Sequence, residues 1–320
     1  MKPRKNHISK YTKIRLGITI GDPAGIGPII TKKAVDRLNG LADFLVIGDS
    51  SVLGGMKSCR LLDLGRIKKG KVRRGVVAAE YGAASLAYLD KAVELLKEKE
   101  IDCLVTAPVS KEAVNKAGFK FYGHTEYLAH KFGVKHYVMM LLNNYLKFSL
   151  LTRHLPLKDV SSRLNREVLR ETILLTYDAL RKMFLIEKPR LAICGLNPHA
   201  SDNGVIGREE NDIIKPLAAV LRKSIPYLEG PLSSDIAIAR GFRGYYHCLV
   251  TMYHDQALIP LKLTEQFGGV NLTLGLPFVR TSPLHGTAFD IARRPSLANP
   301  TSMLEAIKTA VQCTLNLKNA

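Results

Sequence analysis

No run of about 18 apolar residues occurs in this 320-residue chain, so no segment reads as a membrane-spanning helix. The longest apolar stretch, Tyr137 to Leu151, is broken by Asn143, Asn144 and Lys147. Cysteine is scarce: Cys59, Cys103, Cys194, Cys248 and Cys313 are dispersed, with no C-x-x-C pair. That spacing excludes a disulfide framework or zinc ribbon and suggests reduced thiols, with the cytoplasm as the expected location. The basic N-terminus, MKPRKNHISKYTKIR, lacks the apolar core and small-residue cleavage site of a secretory signal and reads as a solvated arm. Acidic residues are few, 28 against 47 basic, for a net charge of +19. Such an excess invites a nucleic-acid reading, but it concentrates only in the N-terminal arm and Arg60 to Arg74. No helix-turn-helix, zinc-finger or RNP signature accompanies it, so attraction for small anions is the preferred explanation. Gly21-Asp22-Pro23-Ala24-Gly25-Ile26-Gly27 is neither G-x-G-x-x-G nor a P-loop, and no G-x-S-x-G elbow occurs.

What is present is an alternation of strands and helices. Apolar runs at Ile14–Ile20, Phe44–Gly48, Ile101–Thr106, Tyr137–Leu142, Phe148–Thr152, Arg190–Cys194 and Cys248–Met252 read as strands. Helical periodicity covers Ile26–Asn39, Ala78–Lys99, Asn165–Met183, Asn211–Arg222 and Pro300–Leu317. This order predicts an α/β protein with a mainly parallel or mixed sheet, with ligands beyond the carboxyl ends of the strands. The length allows two domains, but no linker marks a boundary.

Three histidines each follow a predicted strand: His154 in TRHLPL, His199 in GLNPHA and His254 in MYHDQ. A single such histidine would be an ordinary surface residue. Three in equivalent positions suit a divalent metal site with an open coordination position. Asp235 and Asp255 are placed to orient them or neighbouring groups. Gly123-His124-Thr125-Glu126 sets an imidazole beside a hydroxyl, and also reads as a helix start with Thr125 as N-cap. Lys262, Asn271 and Arg280, on glycine-rich apolar backbone, suit a phosphate. The turn His285-Gly286-Thr287-Ala288, followed by Asp290, lets backbone approach a nucleotide closely.

Together these segments resemble the family of 4-hydroxythreonine-4-phosphate dehydrogenases. The matching stretches are ITIGDPAGIGP, VTAPVSKEAV, GHTEYLA, TRHLPLKDV, GLNPHA with GREE, GPLSSD, and MYHDQALIPLK through GVNLTLGLPFVRTSPLHGTAFDIA. They occur in family order and span nearly the whole chain.

The resemblance implies an isocitrate- and isopropylmalate-dehydrogenase-like α/β/α fold of two domains, with the active site in a cleft at a homodimer interface. An approximate division puts residues 1–130 plus 285–320 in a nucleotide-side domain and 131–284 in a metal, substrate and dimer domain. It further implies that His154, His199 and His254 bind a divalent metal (zinc, magnesium or cobalt), with His254 reaching across the dimer. His124, Thr125, Lys262, Asn271 and Arg280 would contact a phosphorylated hydroxy acid. His285, Gly286, Thr287, Ala288 and Asp290 would hold NAD or NADP, and Asp235, Asp255 and Lys262 would serve the catalytic step. The expected reaction is oxidation with decarboxylation of 4-phosphohydroxy-L-threonine to 3-amino-2-oxopropyl phosphate in pyridoxal 5'-phosphate synthesis.

The sequence departs from the family pattern at Ile29, at Ala257 and at Ser201-Asp202-Asn203. That keeps a paralogous D-threonate or D-erythronate 4-phosphate dehydrogenase open as the alternative. From other classes, an acyl transferase on a related fold leaves three histidines unexplained, and a nucleic-acid-binding protein leaves the ordered motifs unexplained.

Overall fold

The structure, a computed structural model, describes residues 13–120 and 122–320. Of the basic arm expected over residues 1–15, residues 1–12 lie outside the described residues, and Arg15 already belongs to the first strand. Eleven strands form one mixed sheet: β1 (Arg15–Thr19), β2 (Asp43–Gly48), β3 (Arg60–Asp63), β4 (Cys103–Thr106), β5 (Val138–Leu142), β6 (Lys147–Leu150), β7 (Leu191–Cys194), β8 (Leu228–Leu232), β9 (Cys248–Thr251), β10 (Val270–Leu274) and β11 (Val279–Pro283). Their spatial order is β3-β2-β1-β4-β11-β10-β5-β6-β9-β7-β8. Pairing is antiparallel where β10 meets β11 and β5 and where β5 meets β6, and parallel elsewhere. The predicted α/β class and mixed sheet are therefore observed.

The strands expected from apolar runs are buried on both faces. CLVT of β4, VMMLL of β5, LAIC of β7 and CLVT of β9 have no exposed position, as required of strands covered by helices on either side. Long helices at Gly27–Arg37, Ala79–Lys97, Arg166–Lys182 and Thr301–Asn319 provide that cover. Pro28 sits in the first turn of one, where a missing N–H costs nothing. The helix Arg166–Lys182 starts at Asn165, whose side chain accepts from the Val168 amide at 2.9 Å. The helix predicted over 211–222 opens with a π turn at Glu210–Ile214 before continuing at Lys215–Leu221.

Two connections position the ligand-facing ends. β6, β9 and β7 lie side by side in parallel, so the segments after them, carrying His154, His254 and His199, leave the sheet in the same direction. At the other half, β4 ends against a short helix, Lys111–Lys116, capped by Ser110. That short helix packs on the helix Ala79–Lys97 with almost no clearance. A Cβ on Gly82 would lie 2.1 Å from the Ala113 carbonyl oxygen and 2.4 Å from the Val114 amide nitrogen. Gly82→Ala must push backbone against backbone, an overpacking that costs about 2–3 kcal/mol. Denaturant unfolding of this variant should show that loss; a variant as stable as wild type would contradict the packing described.

Candidate active site

Arg280 is the largest fully buried side chain, 1% exposed, on β11 in the middle of the sheet. Register places it beside Leu104 of β4 and opposite Thr273 of β10. Its guanidinium donates to Thr106 Oγ1 from Nε (3.2 Å) and Nη2 (2.5 Å). Nη1 donates to Thr273 Oγ1 at 3.2 Å and Thr125 Oγ1 at 3.4 Å. Among the described residues it has no ion pair, and burial lowers its pKa to about 10 while Glu126 partly offsets the effect. A buried cation satisfied by neutral hydroxyls alone retains unmet electrostatic demand, which an anion relieves.

The cleft over this guanidinium has a volume of about 170 Å³ and is lined by His124, Thr125, His154, Asn271, Arg280, His285 and Gly286 among others. Asn271 Oδ1 and His285 Nε2 are buried there without a hydrogen-bond partner, as expected of groups waiting for a ligand. Thr125 does not cap its helix as predicted: the helix His124–Lys131 starts at Gly123, and the Thr125 hydroxyl instead accepts from Arg280. Glycine takes the N-cap because the backbone there turns through φ +158°.

The histidines differ in setting. His154 and His254 face each other with ring centroids 5.7 Å apart, and His254 Nδ1 lies 2.7 Å from Asp255 Oδ1. His199 begins a run, His199 to Asn203, of five non-glycine residues with positive φ. Each such residue costs roughly 1–2 kcal/mol. The buried Glu210 carboxylate steadies this loop by accepting the Leu196 and Asn197 amides, both at 2.8 Å. Asp235 lies within the field of His199, its carboxyl held low by a Ser233 hydroxyl first of all. Among the described residues no group of three or more His, Cys, Asp or Glu side chains is arranged to hold a metal ion. One chain thus brings two of the three histidines together.

Gln256 knits these strand ends to one another. Its Oε1 accepts from the Met252 amide at 2.7 Å, and its Nε2 donates to the Gly195 carbonyl at 2.9 Å and to Ser234 Oγ at 2.7 Å. The ends of β9 and β7 and the start of the helix Ser234–Phe242 are therefore fixed by one buried amide.

Lys262 does not line the cleft. It donates to the Leu284 carbonyl at 3.0 Å, next to His285, with burial lowering its pKa. Thr287 is tied to the glycine loop, its carbonyl accepting from the Ile26 amide at 2.9 Å; Ala288 has a positive φ, and Asp290 is exposed. The sequence analysis did not single out Thr106 and Lys111, which line the cleft, or Thr273, which contacts Arg280, although VTAPVSKEAV contains the first two.

The site carries more than its own chemistry as evidence. The family described as "Pyridoxal phosphate biosynthetic protein PdxA" matches residues 30–310. The chain belongs to that family. The 4-hydroxythreonine-4-phosphate dehydrogenase of Sulfurihydrogenibium sp. (strain YO3AOP1) is 41% identical, covering 93% of this chain and 98% of the relative. A Bradyrhizobium diazoefficiens relative with the provisional name D-threonate 4-phosphate dehydrogenase is 38% identical over 93% of this chain and 96% of its own. The crystal structure of 4-hydroxythreonine-4-phosphate dehydrogenase from Klebsiella pneumoniae superposes with a TM-score of 0.84 at 33% identity, covering 96% and 99% of the two chains.

Burial, followed by Arg280 and Lys111, holds His124 well below the ordinary imidazole range. Burial likewise lowers His154 and His285. These imidazoles bind protons less readily in the folded state than in the unfolded one. Their contribution to stability is complete above about pH 6.5 and is lost as pH falls below it. Thermal unfolding followed from about pH 7.5 to about pH 5 should show Tm falling, with His124→Gln flattening part of the decline. Parallel curves for the two proteins would contradict a neutral, buried His124.

Proposed function

We propose that this protein is a metal-dependent, NAD(P)-linked dehydrogenase that oxidises 4-phosphohydroxy-L-threonine, with decarboxylation to 3-amino-2-oxopropyl phosphate, in pyridoxal 5'-phosphate synthesis. The observation that carries this reading is the buried Arg280 guanidinium, without a carboxylate partner, opening into the cleft that His154 also lines. It provides a fixed anion receptor beside a pair of metal-competent imidazoles.

The residues present fit a divalent ion. His154 is kept neutral by burial, and His254 uses Nδ1 on Asp255, leaving Nε2 available for coordination. A centroid separation of 5.7 Å allows both rings to reach one ion. His199 is the expected third ligand, and its absence from the pair within one chain supports completion of the site in a homodimer. Exposed apolar side chains on the adjoining surface, Ile236, Phe242, Ile259 and Leu263, suit burial against a second copy. Across such an interface, His254 is the histidine proposed to reach the partner's site.

When bound, a divalent ion supplies Lewis acidity at a hydroxyl oxygen and a nicotinamide supplies a hydride acceptor. The chain does the rest. Arg280, with Asn271 and the neutral His124, binds the phosphate far from the reacting carbon and so fixes the hydroxyl at the histidine pair. Asp255 orients His254, and Asp235 is placed to take or shuttle a proton near His199. The turn His285–Ala288, knitted to the glycine loop, is the proposed nucleotide-side wall, with Asp290 at its edge. Lys262, held at the Leu284 carbonyl beside that wall, is proposed to reach the substrate and serve the catalytic step. We further propose the two-domain, isocitrate-dehydrogenase-like division at residues 1–130 plus 285–320 and 131–284. The five free cysteines support a reducing, cytoplasmic setting. The provisional name of the Bradyrhizobium relative favours one second reading, oxidation of D-threonate 4-phosphate on the same machinery.

Reduction of NAD or NADP with 4-phosphohydroxy-L-threonine should stop on chelation and return with zinc, magnesium or cobalt. His154→Ala should lower kcat by at least about 100-fold. Turnover with D-threonate 4-phosphate alone would move the assignment to the second reading. Unchanged turnover after complete metal removal would overturn both.

A further inference from the structure

We infer that Lys111 is the cation that receives the substrate's carboxylate, at the end of the cleft opposite the phosphate held by Arg280. This builds on the function proposed above and names a binding residue which that reading leaves open. The proposed substrate carries two anions, a phosphate and a carboxylate, separated by three carbons. Arg280 is committed to one end, where its guanidinium is walled in by Thr106, Thr125 and Thr273. The second anion needs a separate cation within reach of the histidine pair.

Lys111 occupies that position. The small cleft over Arg280 adjoins a larger cavity of about 670 Å³, and among the described residues Lys111, Glu126 and His154 line both. Lys111 therefore stands where the two spaces meet, next to a histidine of the proposed metal pair. The nearby carboxylate, Glu126, is engaged by Arg153, whose Nε lies 3.4 Å from Oε1. Among the described residues Lys111 itself has no ion pair.

The backbone holds this ammonium in place and keeps the space around it open. Lys111 is the first residue of its helix, fixed by the Ala113 amide donating to Ser110 Oγ at 3.1 Å and by the close contact of Ala113 with Gly82. Across from it, a side chain at Gly123 would approach Glu126 Oε2 at 2.9 Å and Lys111 Cε at 3.8 Å. Glycine there leaves room for a ligand group beside the lysine. A lysine is suited to this role: a compact, hydrated point charge on a flexible stem meets a carboxylate without the planar geometry that an arginine imposes.

The test uses two compounds that differ only in the carboxylate, 4-phosphohydroxy-L-threonine and 3-amino-2-hydroxypropyl phosphate. Their binding is measured calorimetrically on the metal-loaded protein without nicotinamide, so no turnover intervenes. Wild type should bind the carboxylate-bearing compound about 10- to 100-fold more tightly, the range of a charge-assisted hydrogen bond. Lys111→Met should erase that preference while binding the carboxylate-free compound within about twofold of wild type, which also shows that the variant is folded. Lys111→Arg should recover part of the preference. Equal losses for both compounds would make Lys111 a phosphate contact, and a preserved preference in Lys111→Met would remove it from the site; either overturns the inference. Wild type that binds neither compound would instead refute the proposed substrate, and the role of Lys111 with it.

Discussion

A guanidinium buried among hydroxyls is the constraint around which this site is organised. Burying Arg280 without a carboxylate costs free energy, since three threonine hydroxyls offset only part of the lost hydration. The surrounding structure makes the arrangement possible. β4, β10 and β11 bring Thr106 and Thr273 against the side chain, and the helix His124–Lys131 adds Thr125. A carboxylate in any of these positions would make a more stable apo-protein and a poorer anion site. Neutral partners leave the charge available to an anion.

The same division between stability and readiness recurs at the histidine-bearing ends of the sheet. β6, β9 and β7 deliver three histidines in one direction, but the loops that carry them are not relaxed: His199 opens a left-handed run. Two buried polar side chains keep these loops in register. Gln256 joins Met252, Gly195 and Ser234, and Glu210 fixes the backbone just ahead of His199. Neither lines the cleft, yet both fix the backbone beside the histidines.

Much of this was legible in the residues because burial leaves a simple trace. Strands buried on both faces read as unbroken apolar runs, and β1, β2, β4, β5, β6, β7 and β9 were found that way. Where burial is only partial or the chemistry is polar, the trace fades. β3 is a short edge strand ending in Asp63, β8 contains Gly230-Pro231, and β10 and β11 carry the polar side chains Asn271, Thr273 and Arg280 among their apolar residues. The helix His254–Thr264 contains Pro260, which argues against a helix when read locally. The motifs contain Arg280, His124, Thr125 and Asn271, which the fold brings into one cleft. They did not show that Thr106 and Lys111 join that cleft, since this depends on which strands and helices become adjacent.

The most direct test of an anion site built on an uncompensated guanidinium is the thermal stability of wild type and Arg280→Met, each with and without saturating 3-amino-2-hydroxypropyl phosphate. The account predicts that wild type gains about 2–3 kcal/mol with ligand at roughly 100 times its Kd. Arg280→Met should be close to wild type in stability without ligand and gain almost nothing with it. A variant that is strongly destabilised when unliganded, yet still stabilised by the phosphate compound, would show that Arg280 holds the fold together and that the anion binds elsewhere.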